Sequence, residues 1–186
     1  MSLRSRLAAA GAALGLALSG VAVATPTAAA APFCGLTWGS LAKASTPMST
    51  NAVTAVRAGR HACYDRLVLD LTGTSRTGYD VRYVGTVDAD GSGATVPLRG
   101  GARIRIIAKA PAHDGLGLST YRPANHRELV DVGGYRTFRQ VAWAGSFEGQ
   151  TTVGLGVRAR LPFRVFTLTD PTARTTRLVI DVAHRW

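Results

Sequence analysis

The chain has 186 residues, 46% of them hydrophobic, and a formal net charge of +11 at pH 7. That length holds one domain with its own core and is tight for two. A basic surface draws polyanions, and guanidinium forks suit phosphate and carboxylate better than ammonium does, but basicity alone names no ligand.

Arg4 and Arg6 precede a charge-free run from Leu7 to Val23 and a small-residue stretch ending at Ala31, the pattern of a secretory signal peptide over residues 1–31. The apolar run is short of the roughly 20 residues a span needs, so no stable membrane anchor is expected after cleavage. Ser5 separates the two arginines, which leaves a twin-arginine signal unsupported, and Ala31-Pro32-Phe33 is a poor setting for lipid attachment at Cys34. The expected product is soluble, outside the cytoplasmic membrane. Losing two arginines and no acid takes its charge to +9, and all its cations but Lys43 and Lys109 are arginine. The polyanions on offer outside a cell are wall polymers and phospholipid head groups, so nucleic acid is not an expected partner.

Residues 32–51 are weakly periodic. Cys34 and Cys63 are an even pair in an exported chain and read as one disulfide, with two buried thiols as the alternative. A loop of about thirty residues closed this way contributes roughly 3–4 kcal/mol in the chain-entropy account. The bond would pin the segment to the first strand region.

From Val53 onward the period is two. Leu67, Leu69 and Leu71 alternate with Val68 and Asp70; Val81 and Tyr83 with Arg82 and Val84; Ile104 and Ile106 with Arg103, Arg105 and Ile107. These are half-buried strands. Between two of them, VDADGSGATV has the Asp90-Gly91 and Ser92-Gly93 chemistry of a hairpin tip. A long polar loop follows over residues 111–130, functional or mobile, with room for one short helix near Asn125 to Val130. Strands resume in YRTFRQVAWAGSFEG, QTTVGLGVRARLPF, RVFTLTD and TRLVIDVAHRW, with Asp170-Pro171 as the turn before the last. The fold class is all-β, a sandwich or partly open barrel of about eight or nine strands.

One phrase occurs twice, RLVLDL from Arg66 and RLVIDV from Arg177. Its two aspartates, Asp70 and Asp181, lack the Gly and hydroxyl residue that follow an aspartic-protease carboxylate, although a glycosidase could use acids about 5–9 Å apart. Two strands of like design in one core explain the repeat better, each Asp pointing to solvent or to a neighbouring arginine. DADGSG from Asp88 imitates a calcium loop but reaches Arg99 where the bidentate Glu belongs. His61, His113, His126 and His184 show no metal spacing, and the role expected of His61 and His184 is a hydrogen bond tying strand ends to a loop. No metal or cofactor is expected.

Two binding features remain. GSFEGQT from Gly145 brings Ser146 beside Glu148 and is the best single corner to touch a ligand. Arg103 and Arg105 share one strand face, as do Arg158 and Arg160, with Arg139 and Arg164 on other strands. Side by side these strands could present a basic face to an anionic polymer.

CGLTWGS, VRAGRHACYDRLVLDL, GYDVRYV, VPLRGGARIRI, the block from Tyr135 to Leu168 and RLVIDVAHRW, in this order, resemble the AMIN-like domain of secreted actinobacterial proteins, which is similar to the AMIN domain accompanying wall amidases and secretin channels. The resemblance implies a β-sandwich of two sheets over residues 52–186 and a non-catalytic, envelope-associated module with peptidoglycan or an associated polymer as ligand. No amidase or channel domain is expected after it. Two other functions are carried forward. One is a wall hydrolase acting through Glu148 with Asp70 or Asp181, the other an interaction protein pairing with an exported partner through a strand edge.

Overall fold

The computed structural model describes residues 33–186. The signal-peptide reading, residues 1–31, lies outside them. Among the described residues a 3₁₀ turn, Phe33–Gly35, is followed by nine strands: β1 Lys43–Ser45, β2 Val53–Arg60, β3 Tyr64–Thr72, β4 Tyr79–Val84, β5 Ala102–Ala108, β6 Phe138–Phe147, β7 Gln150–Val157, β8 Phe163–Asp170 and β9 Thr175–Ala183. They form two antiparallel sheets, one in the order β1-β4-β5-β7-β6 and one in the order β2-β3-β9-β8. The fold is the expected all-β sandwich.

Alternation sets which side chains meet between the sheets. Leu67, Leu69 and Leu71 from β3 and Leu178, Ile180 and Val182 from β9 face Ile104, Ile106, Val153 and Leu155 of the other sheet, closed at the ends by Phe138 and Phe163. Each such side chain contributes about 1.5–3 kcal/mol through burial. The repeated phrase finds its explanation in the pairing of β3 with β9, which sets Arg66 opposite Asp181, Val68 opposite Val179 and Asp70 opposite Arg177. Run antiparallel about its central valine, the phrase is its own complement: the first-place Arg of each copy meets the fifth-place Asp of the other.

Two excursions cover surfaces that would otherwise be open. Residues 85–101, between β4 and β5, fold across the outer face of the five-stranded sheet, where Val87 and Leu98 pack on Ala142 and Ala144. Gly154 and Gly156 admit them, since a Cβ on Gly156 would stand 2.0 Å from the Arg99 carbonyl oxygen. The hairpin expected at VDADGSGATV lies within this strap, bridged between Asp88 and Thr95.

The second excursion is the long loop. Val53 N–H donates to the Pro111 carbonyl and the Thr120 hydroxyl to that of Val53, while Trp143 N–H donates to His126 and Leu129 N–H to Val141. The loop thus ties the β2 edge of one sheet to the β6 edge of the other. Its last part is irregular instead of helical around residues 125–130 because its carbonyl and N–H groups serve β6.

On the opposite side residues 33–45 do the same work. Cys34 is joined to Cys63, with Cα atoms 6.4 Å apart. Gly39 bridges Phe163 at the start of β8, and β1 then pairs with β4. The Trp38 ring lies 5.9 Å from that of Tyr64.

Candidate functional site

The two phrase aspartates do not form a dyad. Asp70 and Asp181 lie four positions apart in register on neighbouring strands, about 13 Å along the sheet. The Asp181 side chain is fully buried, and Arg66 donates to its two oxygens at 2.7 and 2.9 Å while Arg164 donates Nε at 2.8 Å. Both guanidinium groups also lie over the Phe166 and Tyr64 rings at 5.1 to 5.6 Å. Asp70 is more exposed and accepts from Arg57 at 2.9 Å, with Arg177 3.7 Å away. Hydrogen bonding to these carboxylates holds Arg57 and Arg66 above the ordinary arginine range. Both acids are arginine-paired on the outer face of the four-stranded sheet, whereas Glu148 sits at the β6–β7 turn of the other. The hydrolase pairing of Glu148 with Asp70 or Asp181 has no common site.

The predicted arginines divide. Arg103 and Arg105 do share the outer face of β5, since Ile104 and Ile106 face the core, and Arg82 stands opposite Arg105. Arg158 and Arg160 do not share a strand face, because β7 ends at Val157 and both lie in the link to β8. Arg158 donates to the His184 carbonyl. Arg139 sits at a β6 register shift and turns back onto the carbonyls of Tyr135 and Phe138, at 3.2 and 2.8 Å. One continuous basic sheet face is therefore not formed.

What does form is a cleft of about 480 Å³ where Arg103 and Arg160 meet from separate elements beside Tyr83, Gly85 and Gly101. The Arg160 guanidinium lies 4.7 Å from the Tyr83 ring centre and donates to the Ser40 carbonyl at 3.2 Å. Tyr83 is fixed by donating its hydroxyl to the Leu161 carbonyl and accepting from Leu161 N–H. Burial pushes its phenol up, so it stays neutral. No carboxylate lines the cleft, and neither arginine has an acidic partner among the described residues. Cation over aromatic ring, with one guanidinium nitrogen held by Ser40 and no acid on the rest, is an arrangement for phosphate or carboxylate oxygens.

The expected Ser146 and Glu148 corner is a two-residue hairpin, with positive φ at Glu148 (49°) and Gly149 (75°). The Ser146 hydroxyl accepts Ala112 N–H at 2.9 Å and donates to the Gln150 carbonyl at 3.0 Å, so it clasps the long loop to the turn. Glu148 borders a small recess of about 130 Å³ with Asp90, whose carboxyl is pushed up by burial.

Of the histidines, His184 bridges the Ala62 carbonyl and the buried Asp65 carboxylate, which also accepts the Thr137 and Phe138 N–H groups. That ties strand ends to a loop as expected. His61 instead stacks on Tyr64 at 4.5 Å. His113 and His126 reach a second cavity, of about 370 Å³, under the long loop, lined also by Tyr121, Arg122 and Trp143. Among the described residues no group of three or more His, Cys, Asp or Glu side chains could hold a metal ion, and no helix is long and apolar enough to cross a membrane.

The strand order, the reciprocal phrase and the Tyr135 to Leu168 block now stand together. A family model, the AMIN-like domain, matches residues 51–184. The chain belongs to the AMIN-like domain family. No curated protein and no solved structure matches it. Membership points to a cell-wall-associated module, and AMIN-like domains occur in extracytoplasmic proteins, with which the disulfide is consistent. Within this AMIN-like domain, sequence reading reached Arg103 and Arg160 but not Tyr83, and it treated His113 and His126 without Tyr121 and Trp143. The only signal for the second group was the length of the loop.

Proposed function

We propose that this AMIN-like domain is a secreted, non-catalytic module that associates with the cell envelope by binding peptidoglycan or an anionic polymer attached to it. The observation that carries the reading is the meeting of Arg103 and Arg160 in a cleft without a carboxylate. A polymer with phosphate or carboxylate groups gains charge-assisted hydrogen bonds there, and the aromatic floor of Tyr83 keeps Arg160 in place. Arg105 and Arg82 continue the positive potential along the outer face, though Asp80 offsets Arg82.

Pull-down on purified walls at rising salt tests it. Binding should fade as salt screens the arginines. The double substitution Arg103→Ala/Arg160→Ala should weaken it about tenfold, a loss of about 1.4 kcal/mol, while Arg76→Ala, an exposed arginine elsewhere, should change it little. No binding at any salt would sink this reading and favour pairing through the β8 edge, where Thr167, Leu168 and Thr169 are exposed. Soluble fragments released from the wall would contradict the non-catalytic part.

A further inference from the structure

The cavity under the long loop is separate from the arginine cleft and has its own chemistry. Four aromatic rings border it, Tyr121, Trp143, His126 and His113, with Tyr121 and Trp143 5.5 Å apart and inclined at 58°, and His126 inclined at 52° to Trp143. Rings set obliquely do not make the parallel slot that sandwiches a flat base. They suit a puckered ring whose C–H groups pack on aromatic surface. The volume, about 370 Å³, falls within the range of small-molecule sites, roughly 300–1,000 Å³.

Four polar side chains at this cavity are unspent, while Ser146, Ser119 and His113 are held by bonds within the protein. Among the described residues the Trp143 indole N–H, the Tyr121 hydroxyl, the His126 ring and the Arg122 guanidinium make no hydrogen bond to protein, and none of them is a sealed, unsatisfied atom. They therefore open to solvent or to a ligand. Their character is one-sided: the indole and guanidinium are donors only, and a neutral phenol or imidazole has one N–H or O–H to give. Burial pushes the Tyr121 phenol up, which keeps that donor in place. No carboxylate lines the cavity, so the paired acids of glycoside hydrolysis are missing from it.

The scaffold holds the cavity in shape. Ala112 is clasped by Ser146, and His113 pairs with Ser119 across a tight turn in which Asp114 accepts the N–H groups of Leu116 and Leu118. Trp143 is fixed by its strand and by the bond from its N–H to His126. A site on so long a loop is here pre-formed, which lowers the entropic cost of binding.

We infer that this cavity binds one acidic pyranose unit, a sugar ring carrying a carboxylate, with Trp143 and Tyr121 against the ring and Arg122 on the carboxylate. It extends the polymer-binding reading, being a second contact for an acidic glycan, but it rests on different residues.

The indole N–H resonances of the full domain give a direct test, since the sequence has 3 tryptophans and Trp186→Phe removes an exposed one from the spectrum. Titration with a hexuronate tetrasaccharide should shift the Trp143 resonance saturably. A neutral glucose tetrasaccharide should bind at least tenfold more weakly. Arg122→Ala, at an exposed position, should weaken the acidic sugar at least fivefold and leave the other resonances in place, and Tyr121→Phe should weaken it less. Arg103→Ala/Arg160→Ala should leave the Trp143 shift intact, so failure here and failure of the arginine cleft are separable. No shift at millimolar sugar, equal binding of acidic and neutral sugars, or the same shift from inorganic phosphate alone would each overturn the inference.

Discussion

Asp70 and Asp181 hold the same place in two copies of one phrase, and their surroundings make them energetically unlike. Asp181 is sealed beneath Arg66 and Arg164, with a side-chain exposure of 0%, whereas Asp70 keeps 24% of its surface and pairs with the exposed Arg57. A carboxylate removed from water costs several kcal/mol in desolvation, which its two guanidinium partners and their five-donor geometry offset. Removing the carboxylate leaves two cations crowded over Phe166 and Tyr64. Asp181→Asn should therefore destabilise the domain by about 3 kcal/mol, and Asp70→Asn by less than about 1 kcal/mol, as exposed pairs do. Urea unfolding of the two variants side by side checks this, and equal losses would mean that Asp181 is hydrated. The alternation in the sequence was enough to put both acids on the outer face beside arginines. It could not say which would be sealed, because that depends on Arg164, which the β8–β9 register sets opposite Asp181, and on Trp38, which comes from far along the chain to lie 5.5 Å from the Arg164 guanidinium.

Among elements, what decides the shape of the site is how the strands are crossed by irregular chain. The strap over residues 85–101 lies on Gly154 and Gly156 and delivers Gly85 and Gly101 to the mouth of the arginine cleft. Gly156→Ala would force a Cβ against the Arg99 backbone, a contact that no rotamer change relieves. A loss of about 1–3 kcal/mol is expected from such overpacking, or roughly 2–4 °C in melting temperature for each kcal/mol. Gly85→Ala, which meets nothing within 4 Å, should melt close to the parent. Period two in the sequence marked β3, β4, β5 and β9 and the faces they bury. It missed the short β1, whose three residues are held by pairing with β4 and not by a core pattern of their own. It also joined Arg158 to Arg160 as strand neighbours, since alternation continues past Val157 after the backbone has left the sheet. Spacing shows which residues share a face. It does not show which faces are adjacent, and so neither the meeting of Arg103 with Arg160 nor that of Tyr121 with Trp143 was legible.

For the whole molecule, a two-layer sandwich has two open sides, and here each is closed by chain that is mostly not strand. The loop of residues 111–130 closes one by backbone hydrogen bonds to β2 and β6. The segment of residues 33–45 closes the other with fewer of them, the Gly39 bridge to Phe163 and the short β1 ladder, and adds a disulfide, a Trp38 contact and Lys43 4.0 Å from the Phe163 ring centre. Few backbone bonds mean little cost to local opening, so the covalent tie should carry much of the closure. Cys34 and Cys63 are 29 residues apart, and in the chain-entropy account a loop of that size contributes roughly 3–4 kcal/mol. Cys34→Ser/Cys63→Ser should show that loss in urea unfolding. It should also expose residues 33–45 to limited proteolysis before residues 51–184 are cut, and lower wall binding, because Ser40 is the carbonyl that holds Arg160 in its cleft. A loss below about 1 kcal/mol with the segment still protected would place the closure in Trp38, Gly39 and β1, and the disulfide would then be a consequence of that packing instead of its cause.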